Sequence, residues 1–115
     1  MAVDLDALSR EVAAAGDEWM VQGVRMLLDG HRAARVVVRN RIFVEATYRD
    51  LLYTPLPGDV PDLNDPVTVN ALLGSTGTVE RIAHHWSANV GDVPRGGISR
   101  TEAICRAWIA ARGKQ

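Results

Sequence analysis

Asp4-Leu5-Asp6-Ala7-Leu8-Ser9-Arg10-Glu11-Val12-Ala13-Ala14-Ala15-Gly16-Asp17-Glu18-Trp19-Met20-Val21-Gln22-Gly23-Val24-Arg25-Met26-Leu27-Leu28-Asp29-Gly30 is the stretch on which the fold class turns. Its apolar positions Leu5, Leu8, Val12, Ala15, Trp19 and Met26 follow three-four spacing, and Met20, Val24 and Leu27 widen the stripe, as one face of an amphipathic helix requires. Asp4 can cap such a helix and Gly30 can end it. Gly16 and Gly23 fall inside the pattern, each costing roughly 1 kcal/mol against alanine. They either permit close backbone packing or break the helix at Gly16-Asp17. The stripe keeps its phase across Gly16, which favours one long helix over 4–29 with a kink.

Downstream, Val36-Val37-Val38 and Ile42-Phe43-Val44 are dense in β-branched and aromatic side chains, which predicts a small β-hairpin within 34–48 turning at Arg39-Asn40-Arg41. The competing reading is a helix, on which Arg41, Glu45 and Arg49 would align at i, i+4 and i+8. Residues 54–66 read as a Pro/Gly-rich connecting loop. Asp65-Pro66 has the form of an N-cap followed by proline at the first helical position, with Gly74 as a stop; the competitor is a strand at Val67-Thr68-Val69. Val79, Ile82, Ala83, Trp86 and Val90 mark an amphipathic helix over 77–90. The expected fold is therefore one domain, 1–115, mainly α, with principal helices near 4–29, 77–90 and 100–112 and a small β-hairpin in 34–48.

The last helix declares its own start. Ser99 and Glu102 have the spacing of a capping box, in which the hydroxyl accepts from the Glu102 amide and the carboxylate reaches back. Ile98-Ser99-Arg100-Thr101-Glu102-Ala103-Ile104 resembles the opening of the second helix in ribbon-helix-helix DNA-binding proteins. The resemblance covers under a quarter of the chain. It implies a strand at Val67-Thr68-Val69-Asn70 that pairs across a dimer, a first helix at 77–90, and contact with DNA.

Composition narrows the function classes. With 47% hydrophobic residues in 115, a core can form without metal or disulfide. A single cysteine, Cys105, excludes an intrachain disulfide and fits a reducing, cytoplasmic setting. No apolar run reaches membrane-spanning length, and Met-Ala-Val-Asp-Leu-Asp is acidic where a secretory signal is basic, so no membrane is expected. The net charge of −1 conceals an asymmetry: residues 1–66 hold eleven Asp/Glu against seven Arg, and 67–115 hold three against six Arg/Lys. The basic part is the region for any nucleic-acid partner.

The candidate anion- or nucleic-acid-binding residues are Arg95, Gly96, Gly97, Ser99 and Arg100, because glycine-rich backbone before a helix N-terminus can direct amides at a phosphate. Glu102 brings competing negative charge to the same helix end. Glu80 and His84 would meet at i, i+4 on a helix, with a solvent-exposed pair as the plainer reading. The adjacent His84 and His85 diverge and cannot chelate together, and no metal site is expected. Cys105 reads as a small buried hydrophobe, and Trp19, Trp86 and Trp108 as one shared aromatic core on three helices. No Rossmann or P-loop glycine pattern occurs, so no cofactor is expected. No convergent catalytic constellation is visible either. The expected function is a small non-enzymatic intracellular interaction or regulatory protein, acting through a protein partner, as a homo-oligomer such as a homodimer or within a larger assembly. A dimeric DNA-binding regulator is the alternative, and a small cofactor-independent enzyme the third class.

Overall fold

The computed structural model describes residues 4–113; residues 1–3 and 114–115, Lys114 of the basic part among them, lie outside the described residues. The described chain is rich in β-sheet, with eight strands in two antiparallel sheets and three helices. This overturns the mainly helical expectation, and the reasons are local.

Helix α1 (Leu5–Ala14) begins as expected, with Asp4 Oδ1 accepting the Ala7 amide at 3.1 Å. It does not continue to residue 29. Gly16 adopts φ 126°, outside any right-handed helix, and the chain runs irregularly to strand β1 (Arg25–Leu28). Around that strand Val24, Met26 and Leu28 are buried while Arg25 and Leu27 are half-buried, a period of two. Asp29 and Gly30, both at positive φ, turn the chain into β2 (Arg32–Val38), with the His31 amide donating to the Leu28 carbonyl at 3.2 Å. Strand β3 (Arg41–Val44) follows through Arg39 and Asn40, where the hairpin turn is expected, and β4 (Arg49–Leu52) pairs on its far side. Strand β5 (Val60–Pro61) adds to the other edge, giving the order β4-β3-β2-β1-β5. The hairpin is thus the middle of a five-stranded sheet.

Helix α2 (Pro66–Leu73) starts with proline in its first turn and ends at Gly74. Residues 67–70 are therefore helical where the ribbon-helix-helix arrangement requires a strand. The expected helix over 77–90 is a hairpin instead, of β6 (Thr78–Ile82) and β7 (His85–Val90), extended by β8 (Val93–Gly97) into a three-stranded sheet. Trp86 and Val90 lie four apart, an interval that a strand satisfies as readily as a helix. Ala88 between them is buried, and Ala83 sits at φ 54° in the turn. The resemblance to ribbon-helix-helix proteins therefore does not extend beyond the capping box.

Helix α3 (Arg100–Gly113) packs on β7 and β8 and buries Ala103, Ile104, Cys105, Ala107 and Trp108. These join Leu8 and Val12 of α1, Trp19, Met20, the inner face of the five-stranded sheet and Val69 and Leu72 of α2 in one core cluster. The tryptophans do reach that core, Trp86 from its border, but only Trp108 does so from a helix. Arg112 stacks over the Trp108 ring at 5.0 Å and pairs with Glu18, fastening the segment after α1 to the end of α3.

Candidate functional site

Residues 54–65 have little regular structure, yet three aspartates spaced three apart fix them to the sheet. Asp59 is buried (4% exposed) and its carboxylate accepts three bonds, from the Asp29 amide at 2.8 Å, the Leu56 amide at 2.8 Å and the Tyr53 hydroxyl at 2.5 Å. Burial, and then the bond to Asp59, push the Tyr53 phenol up to about 12, so it remains a donor across the ordinary pH range. Asp62 takes Arg25 Nη1 at 2.5 Å and the Asn64 amide at 3.1 Å. The same guanidinium reaches Glu45 at 3.0 Å, and these two bonds raise its pKa further. Asp65 takes Arg35 at 2.9 Å and the Thr68 hydroxyl at 3.1 Å. Burial alone would raise the Asp65 carboxyl; the bonds from Arg35 and Thr68 outweigh it and hold the carboxyl below its usual value.

The segment held in this way faces α1 across a cleft of about 680 Å³, open along one side. Ser9, Arg10 and Ala13 form the helix wall, Leu56 and Pro57 the opposite one, and the buried Trp19 contributes apolar lining. That volume lies within the roughly 300–1,000 Å³ of ordinary ligand sites. The two carboxylates lining it from the fixed segment, Asp59 and Asp62, already hold structural donors, so that wall offers a ligand mainly shape and apolar surface, while Asp6, Arg10 and Asp17 bring exposed charge from the α1 side.

The residues singled out from sequence lie at the join of β8 and α3. Ser99 Oγ accepts the Glu102 amide at 3.1 Å, and Glu102 Oε1 accepts the Ile98 amide at 2.9 Å, so the box closes one residue earlier than its usual form. A Cβ on Gly97 would stand 2.8 Å from both Glu102 Oε1 and the Ala103 nitrogen; the missing side chain lets the first turn of α3 sit against β8. Gly96 lies beside it on β8, opposite Ser87. The structure brings Gly97, Ser99 and Glu102 together but sends the two arginines apart. Arg95 bonds to the Pro94 carbonyl at 2.6 Å, and Arg100 to Asn70 Oδ1 at 2.8 Å. Glu80 lies on β6 opposite Ser87 and His84 in the following turn, so the helical spacing that would join them does not exist. Burial pushes the Cys105 thiol up to about 12, the state of an inert core cysteine.

Sequence reading missed the aspartates. Their spacing, Asp-x-x-Asp-x-x-Asp, is visible, but partners 37 and 30 residues away are not. No protein family, curated protein or solved structure matches this chain. Among the described residues, no helix is long and apolar enough to cross a membrane, and no three metal-ligating side chains converge.

Proposed function

We propose that this chain is a non-catalytic interaction protein that receives an apolar group of a partner protein in the cleft between α1 and residues 54–65. The observation that carries the reading is the built wall: Asp59 and Asp62 spend their charge on holding Leu56 and Pro57 opposite α1. Leu56 is 61% exposed at the lip of this wall. Covering a leucine side chain contributes about 1.5–3 kcal/mol, which a partner seated there would gain. A wall already ordered lowers the entropy lost on binding. The partner can be another protein or a second copy of the chain, and the lone cysteine suits a cytoplasmic setting.

A nucleic-acid role for residues 67–115 has less behind it. Arg106 faces Glu11 and Glu102 and Arg112 pairs with Glu18, so two of its arginines meet acids within the molecule, while Arg100 is oriented by the neutral Asn70.

Selection of a displayed peptide library on the immobilised protein tests the reading. Selected peptides should carry apolar anchors and lose at least ten-fold in affinity on Leu56→Asp or Ala14→Arg, both at exposed positions lining the cleft, while both variants keep their melting temperatures. Peptides indifferent to both substitutions would remove the cleft from consideration, and light scattering of the free chain reports the second-copy case.

A further inference from the structure

The wall that bounds the cleft has a second side. There, Leu56, Pro57 and Asp59 border a groove of about 890 Å³ whose floor is the inner face of the five-stranded sheet. On β2, Ala34 and Val36 are buried, so Arg32, two residues before Ala34, lies on the same inner face; it also stands directly opposite the buried Leu28. On β4, Arg49 stands opposite the buried Val44, and Leu51 opposite the buried Ile42. Two exposed arginines therefore occupy the face whose other positions feed the core, at the end of the sheet where that face opens into the groove.

The opposite face of the sheet is built differently. Arg25, Arg35 and Arg41 each meet a carboxylate within 3.0 Å, from Glu45 and Asp62, from Asp65 and from Asp50. Among the described residues neither Arg32 nor Arg49 makes an ion pair. Two carboxylates line the groove. Asp59 is committed to three donors, and Asp29 sits in the β1–β2 turn with its Oδ1 against Gly58. The groove thus combines an apolar floor of Leu28, Val44 and Leu51 with two guanidinium groups that make no ion pair with either of these carboxylates.

We infer that this groove is a binding site for a single-chain amphiphilic carboxylate, its chain on Leu28, Val44 and Leu51 and its head group between Arg32 and Arg49. Guanidinium is weakly hydrated and matches a carboxylate with paired N–H donors, which favours it over a point charge for this role. A neutral chain would leave the arginines unanswered, and a cationic one would be repelled. This site is separate from the cleft and does not rest on the reading given to it.

The probe is decanoate, titrated into the ¹⁵N-labelled chain beside decanol at equal concentrations. Decanoate should shift the amides of Arg32 and of Arg49 to Leu51 and leave Arg10 and Ala13 of α1 unmoved, with decanol at least ten-fold weaker. The double variant Arg32→Gln/Arg49→Gln, both at exposed positions, should weaken decanoate at least ten-fold and leave decanol unchanged. Equal affinity for decanoate and decanol in the wild-type chain would overturn the site, and so would decanoate shifts confined to α1 or no decanoate binding at all. The wild-type comparison stands even if the double variant folds poorly.

Discussion

Gly97 and Ser99 serve one join, the point where β8 hands the chain to α3. Ser99→Ala should lower stability by about 0.5–2 kcal/mol through loss of the cap. Gly97→Ala should cost about 1–3 kcal/mol, because the added methyl meets Glu102 and the Ala103 amide nitrogen at 2.8 Å. Urea midpoints check both. Ala83 offers the reverse case: at φ 54° a Cβ is strained, and Ala83→Gly should raise the midpoint. Tyr53 contributes to the alkaline limit, beside the buried Cys105 thiol. An unfolded phenol ionises near 10 and the folded one near 12, first through burial and then through its bond to Asp59, so keeping this phenol protonated contributes stability that is full below about pH 10 and lost between about 10 and 12. Tyr53→Phe should flatten that part of a pH–stability curve. The capping box was legible in sequence because its partners lie three residues apart; the bonds of Asp62 and Asp65 to arginine were not, since folding alone brings those groups together.

Two stretches carry helical spacing without being continuous helices, each for its own physical reason. An interval of four residues fits both a strand and a helix, so Trp86 and Val90 could not choose between them; the deciding residue was Ala88, too weakly hydrophobic to mark a face. In the first element Gly16 is the terminator, but a glycine inside a helical pattern is a small penalty that a continuing apolar stripe masks in the sequence. Where caps and β-branched runs were explicit, as at Asp4, Val36-Val37-Val38, Asp65-Pro66 and Ser99, the local structure follows them. For α3 the consequence is quantitative. Trp108, 4% exposed, should cost about 3–5 kcal/mol on replacement by alanine, read as a lowered urea midpoint.

At the scale of the molecule, the charge asymmetry between the two parts of the sequence is met in part inside the fold. Acidic residues of the first part, Glu11 and Glu18, meet Arg106 and Arg112 of α3, so the fold sets the two signs against each other. These pairs are partly exposed, and each contributes about 0.2–1 kcal/mol. Glu11→Gln with Glu18→Gln should therefore cost under about 2 kcal/mol and less at high salt, as measured by urea unfolding. Residues 54–65 form a fixed wall opposite α1, held by Asp59 and Asp62. Amide hydrogen exchange, resolved by residue, tests it most directly. The amides of Asp29, Leu56 and Asn64, which donate to those carboxylates, should exchange as slowly as amides of the five-stranded sheet, and Asp59→Ala should release Asp29 and Leu56 while the sheet stays protected. Exchange of these three at the rate of an unfolded chain in the wild-type protein would mean that the wall, and the cleft it bounds, is not built into the fold.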